Sequence, residues 1–261
     1  MEFTSLGSGS GGNCTVIRAG DTTVLIDCGF SRTELKNRLT RRGLDIDRLD
    51  AILVTHEHGD HLKGVPVVAR THQVPVYASR GTIDAMRHRV TRFETIENLV
   101  NEIEPDRIFQ VNDVEVHPID VPHDVREPIQ FVCRFNGVGV GVLTDCGSYT
   151  EQMVAHYSRL NGLLLETNHD SEMLATGPYP EQLKRRVGGD FGHLNNRQSR
   201  EFAQRIHHVN LQQLVLGHIS QHNNLRSLIE REFDDFPSGT SVSYATQAGG
   251  TEWLSVTAGS V

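Results

Sequence analysis

Apolar and polar positions alternate along the first third of the chain with the period of strands, and helical spacing takes over between them. Met1–Leu6 reads as a strand, followed by the polar turn Gly7-Ser8-Gly9-Ser10-Gly11-Gly12-Asn13. Cys14–Arg18 and Thr22–Asp27 read as two strands joined at Gly20-Asp21, a hairpin signal. Arg32–Arg42 places Leu35 and Leu39 on one helical face, with Gly43 as a stop. Ala51–Val54 is a short apolar strand, a helix is expected from about Leu62, Val74–Ala78 is a strand and Thr82–Arg89 a helix. Val111–Val121 alternates around a turn at Asn112-Asp113. Phe131–Phe135 and Val138–Thr144 flank Asn136-Gly137, the strongest hairpin dipeptide.

The second half mixes the two periods. Helices are expected over Glu151–Arg159, Pro180–Val187, Asn195–Val209 and Leu225–Phe233, the third burying Phe202, Ile206 and Val209. Strands are expected over Gly162–Glu166, Leu214–Leu216, Ser241–Ala245 and Glu252–Val256. Two blocks of strands, each with helices in and after it, are buried by an αββα sandwich: two mainly antiparallel sheets face to face, helices outside. The hairpins weigh against a doubly wound parallel sheet. With no repeat, linker or low-complexity tract, residues 1–261 read as a single domain.

Composition changes this picture in three places. No apolar run reaches the roughly 18 residues that span a bilayer, and the N-terminal stretch has no basic or apolar signal region, so a cytoplasmic protein is expected. Cys14, Cys28, Cys133 and Cys146 form no C-x-x-C pair and lie in or beside apolar runs, which predicts buried, reduced thiols. The net charge of −8 counts against a sequence-independent nucleic-acid coat, but not against an enzyme that grips phosphates locally. Arg80, Arg87, Arg89 and Arg92 form one basic group, and Lys184, Arg185 and Arg186 another; both suit phosphate or a solvated helix face. Aromatic residues make up only 6%, and no base-stacking platform is evident.

The chemistry is concentrated in His56-Glu57-His58-Gly59-Asp60-His61, directly after a strand. Imidazole and carboxylate are ligands for zinc and similar divalent ions. In extended chain His56 and His58 point the same way and can share one ion, while Gly59 lets Asp60 and His61 turn toward a second. Glu57 lies outside any H-E-x-x-H helix and is read as a supporting or solvent residue. Further ligands must come from elsewhere. His123, Asp145 and His218 each follow an apolar strand, where a sheet presents ligands. His193, just ahead of a helix, and His169 are candidates for a catalytic proton donor.

This motif series, with Asp27 in Leu25-Ile26-Asp27-Cys28-Gly29, resembles the metallo-β-lactamase superfamily over nearly the whole chain. The resemblance implies that His56, His58 and His123 bind a first ion and Asp60, His61 and His218 a second. It further implies that Asp145 bridges them and that Asp27 orients a ligand histidine. Paired ions about 3.5–4 Å apart would activate a bridging water and polarise the bond under attack. The ligand set suits zinc or manganese, with iron also accommodated. The opening Ser5–Asn13, Leu165–Asp170, Pro178–Val187, Gly192–Asn196 and Gly217–Asn224 resemble the YycJ/WalJ/VicX branch, which implies 5′-to-3′ DNA exonuclease chemistry and a role in DNA repair. Asn195 stands where that branch usually has serine, and Gln221 where it usually has an acid.

The leading expectation is therefore a nuclease or phosphodiesterase acting on nucleic acid, DNA ahead of RNA. A thioester, lactone or β-lactam hydrolase of the same fold is the second reading. The missing signal region argues against an antibiotic-directed enzyme, and a C-terminal segment 245–261 without Arg or Lys argues against glutathione thioesters. A regulatory protein using metals for stability is the third.

Overall fold

The computed structural model describes residues 1–259. Two seven-stranded sheets pack face to face. The first is built from β1 (Glu2–Gly7), β2 (Cys14–Ala19), β3 (Thr22–Ile26), β4 (Ala51–Leu53), β5 (Val76–Ser79) and β6 (Val100–Ile103). The second holds β7 (Phe109–Val111), β8 (Val114–Asp120), β9 (Ile129–Phe135), β10 (Val138–Leu143), β11 (Gly162–Glu166), β12 (Gln213–Gly217) and β13 (Ser241–Tyr244). The late strand β14 (Leu254–Ser255) returns to pair with β1.

The expected sandwich is present, but the sheets are mixed rather than mainly antiparallel. Both expected hairpins form, with Ala19 opposite Thr22 and Phe135 opposite Val138. From β3 to β6, and from β10 to β13, every pairing is parallel. The reason lies in the connections: strands joined by short turns fold back, whereas most of the parallel pairs are separated by helical crossovers.

Helices cover both outer faces. They are α1 (Arg32–Arg41), α2 (Gly59–Leu62), α3 (Val65–His72), α4 (Arg80–Arg89), α5 (Glu151–Tyr157), α6 (Ser171–Thr176), α7 (Glu181–Val187), α8 (Asn196–Ile206) and α9 (Arg226–Glu232). One apolar cluster joins Leu35, Leu39, Val68 and Met86 to the outer face of the first sheet. A second fills the space between sheets with Phe3, Ile17, Leu53, Phe131 and Val140. A third packs Tyr157, Phe202 and Ile229 on the outer face of the second sheet. These three clusters define four layers.

Local chemistry sets the helix limits. Ser31 Oγ accepts the amide of Glu34 at 3.3 Å and starts α1. Asn195 and Gln198 form a reciprocal capping box at the start of α8. Helix α8 is shorter than its apolar spacing suggests: His207 leaves the helix in an extended conformation, and Val209 is 90% exposed rather than buried. The helix expected from Leu62 is two pieces, α2 and α3, broken at Gly64. A Cβ there would meet Phe30 O at 2.0 Å, so only glycine lets this corner approach β3's continuation. Strand β6 and helix α6 were not signalled by the sequence pattern. All four cysteines are buried and free. Among the described residues no helix is long and apolar enough to cross a membrane.

Candidate metal centre

Strand ends from both sheets meet at one rim of the sandwich. Asp27 follows β3, His56 follows β4, His123 follows β8, Asp145 follows β10, Glu166 ends β11 and His218 follows β12. The ligating atoms fall into three overlapping groups: His56, His58 and His123; His56, His61 and Asp145; and Asp145, Glu166, His193 and His218. Within each group those atoms lie within 4.8 Å of one another.

Hydrogen bonds behind the cluster select which nitrogen is free. His61 Nδ1 donates to Asp27 Oδ2 at 2.7 Å, which turns Nε2 toward Asp145 Oδ2 at 2.8 Å. Asp27 is itself fixed by the amide and hydroxyl of Thr55, both 2.8 Å away. The Thr55 hydroxyl oxygen lies 3.0 Å from His56 Nδ1, which leaves His56 Nε2 unprotonated. His123 Nδ1 donates to the Gly192 carbonyl at 3.1 Å and turns Nε2 to 3.4 Å from His58 Nδ1. Thus all seven residues expected as ligands converge. Asp60 reaches the group from the first turn of α2, its Oδ2 at 3.5 Å from His61 Nε2.

The donor set fits cations. His56 Nε2, Asp145 Oδ2 and His218 Nδ1 are buried and lack a hydrogen-bond partner among the described residues. Asp145 Oδ2 lies 2.8 Å from His61 Nε2 and 2.9 Å from His218 Nδ1, in neither case with hydrogen-bond geometry. Buried polar atoms left in that condition are costly unless an ion completes them. Burial, then the neighbouring His61, holds the His56 imidazole well below its usual pKa, in the neutral form that ligates. Burial alone would raise Asp145, but His218 and His61 outweigh it and keep the carboxylate ionised.

Glu166 was missed by sequence reasoning. It is fully buried at the end of an apolar strand. Its Oε2 accepts the amides of Cys146 and Leu194 at 2.9 and 3.1 Å, and its Oε1 lies 2.7 Å from His193 Nδ1. The available signal was the one that exposed Asp145, an acid terminating a buried strand. Although burial opposes it, the Glu166 carboxylate raises the His193 pKa to about 9. His193 lines the cleft over the cluster, with ring centres 5.4 Å from His123 and 5.3 Å from His218. His169 is buried and does not line that cleft; burial lowers its pKa to about 4. The Gly-Ser turn at residues 7–13 also serves the rim. Asn13 Nδ2 donates to Asp60 Oδ2 at 3.2 Å, and Ser8 Oγ accepts the His218 amide at 2.8 Å.

The cleft encloses about 230 Å³ and is walled by Ser10, Tyr179, Leu183 and Arg186. Arg186 bonds Asp124 at its edge. Of the two basic groups, Arg186 alone reaches this cleft; Lys184 pairs with Glu181 and Arg87 with Asp84.

Residues 22–219 match the family model of the β-lactamase superfamily domain. The chain belongs to this superfamily. It is 32% identical over 228 residues to the exodeoxyribonuclease YycJ of Bacillus anthracis, covering 87% of this chain and 86% of that one. It is 31% identical over 230 residues to the exodeoxyribonuclease WalJ of Streptococcus pneumoniae, covering 87% and 85%. In fold it resembles the metallo-β-lactamase fold protein YhfI of Bacillus subtilis (TM-score 0.71, 18% identity, 96% and 99% covered). Human tRNase Z, short form, superposes with a TM-score of 0.69 at 22% identity, covering 98% and 100%. As a member of this superfamily with the motif set in place, the protein is a metal-dependent hydrolase.

Proposed function

We propose that the protein is a dinuclear metal-dependent nuclease, of the 5′-to-3′ DNA exonuclease type. The observation that carries this reading is the convergence of the seven candidate ligand residues beside the His193–Glu166 pair, in a cleft with Arg186 at its wall. The full-length likeness to two exodeoxyribonucleases supports the choice of DNA.

In this reading His56, His58 and His123 would hold one divalent ion and Asp60, His61 and His218 the other, with Asp145 available to both. Such ions supply an acidified water and electrophilic polarisation of the phosphoryl oxygens. The chain's own residues do the rest. Arg186 attracts the phosphodiester with a planar fork of donors. Glu166 takes the Nδ1 side of His193 and leaves the Nε2 proton for the leaving oxygen. His169, the other candidate donor, is buried and does not line the cleft, so the donor role falls to His193. The leaving alkoxide is a poor leaving group unless protonated, which is the reason a proton-bearing imidazole belongs there.

The test is cleavage of 5′-labelled and 3′-labelled DNA and RNA by metal-stripped protein, protein reloaded with zinc or manganese, and a His58→Ala control. Metal-dependent release of nucleotides from 5′ ends, abolished in the control, is the expected result. Failure of fully metallated protein to cut any nucleic acid would overturn the proposal.

A further inference from the structure

A second, larger cavity of about 520 Å³ lies on the opposite side of the metal-binding loop. The loop is a shared wall. His58 and Asp60 line the metal cleft, whereas Glu57 and Gly59 line this cavity. His58 stands in extended backbone, at φ −66° and ψ 148°, so its side chain and that of Glu57 turn to opposite sides.

The far walls come from α2, α3 and the segment after α4. Leu62 and Val90 supply apolar surface, and Lys63, Arg70, Arg89 and Arg92 supply charge. Among the described residues, none of these four cations forms a salt bridge, whereas Arg87 on α4 pairs with both Asp84 and Glu97. Arg70 donates to Thr95 Oγ1 and Arg89 to the Glu57 carbonyl, each at 3.3 Å, and neither contact neutralises a charge. Arg92 is held at φ 63°, an unfavourable conformation for arginine, at the cavity rim. In a chain with a net charge of −8, four cations outside any salt bridge, against the single acid Glu57, mark an anion-binding place around this partly apolar cavity. The combination of guanidinium planes and aliphatic surface suits a nucleotide, whose base packs while its phosphates meet cations.

We propose that this cavity holds a nucleotide of the single-stranded substrate, on the other side of the loop from the bond placed in the metal cleft. The inference rests on the nuclease reading, and it assigns strand binding to a surface separate from the metal ligands.

The experiment compares metal-loaded wild type with Lys63→Gln/Arg70→Gln. Binding of a phosphorothioate single-stranded oligonucleotide is followed by fluorescence anisotropy across salt concentrations, beside binding of a mononucleotide and turnover of bis(p-nitrophenyl) phosphate. The double variant is expected to bind the oligonucleotide roughly tenfold more weakly. Its salt slope should fall by about 1.4, at about 0.7 per lost phosphate contact. Turnover of the small diester, which shows that fold and metal centre are intact, should not change. Wild-type affinity and slope in the double variant would overturn the inference, as would wild-type protein that binds no oligonucleotide. Equal weakening toward the mononucleotide would overturn the strand assignment in favour of a free-nucleotide site. Wild type that binds the oligonucleotide but does not cut its unmodified counterpart would instead sink the nuclease reading, and the slope comparison would still decide the cavity. If the double variant loses diester turnover, Arg92→Gln replaces it with the same expectations at half the slope change.

Discussion

At Asp27, Asp145 and His218 the backbone turns left-handed, with φ of 59°, 54° and 49°. Each such residue costs about 1–3 kcal/mol, and such strain collects where surrounding structure has a use for it. All three follow a strand, and all three deliver a side chain to the metal rim. Asp27 makes no approach to the cleft itself; it acts through His61 Nδ1. Asp27→Asn should therefore weaken metal affinity by about 10–100-fold with the fold intact, as read by chelator competition. Unchanged affinity would show that His61 is oriented by other contacts. His193 tests the opposite case. His193→Ala should lower kcat by about 10²–10⁴-fold while the bound metal stays constant. Metal loss in that variant would make His193 a ligand rather than a proton donor.

At the scale of elements, close approach decides what the metal loop can be. A Cβ on Gly29 would meet the Asp60 carbonyl at 1.8 Å. The loops after β3 and β4 are thus pressed together, and the Cys28 amide donates to the His61 carbonyl at 2.8 Å. Gly29→Ala should push the start of α2 away and reduce metal content in purified protein; full occupancy would contradict this. The elements most legible in the sequence were those with a strong signal of their own. The hairpin turns and the histidine cluster are examples, because few other structures use such residues in such order. Glu166 escaped notice because one acid at the end of an apolar strand is ordinary until the fold places it against His193. Strand β6, Val100-Asn101-Glu102-Ile103, has its middle residues exposed and no alternation to announce it. Val209 continues the apolar spacing of α8, but spacing alone cannot show where His207 leaves the helix. Parallel pairing was hidden for a similar reason: it depends on which crossover packs on which face, a property of contacts distant in sequence.

Over the whole molecule, the metal centre sits on the seam between the two sheets. His56, His58, Asp60 and His61 extend from the first sheet, and His123, Asp145 and His218 from the second. Ions bound there would tie the two halves together and bind only the folded state. At free metal about 100 times its dissociation constant, one such site adds about 2.7 kcal/mol. Chelation, which removes both ions, should then lower the melting temperature by roughly 10–20 °C for a chain of this size. An unaltered melting temperature would mean that the seam holds equally well without ions. The central claim, that paired ions at this seam drive cleavage of nucleic acid, is tested most directly by titrating metal-stripped protein with manganese or zinc while following hydrolysis of 5′-labelled single-stranded DNA. The account predicts activity that rises to a plateau at two equivalents of metal per chain. A plateau at one equivalent, or a fully loaded protein that leaves the DNA intact, would contradict it.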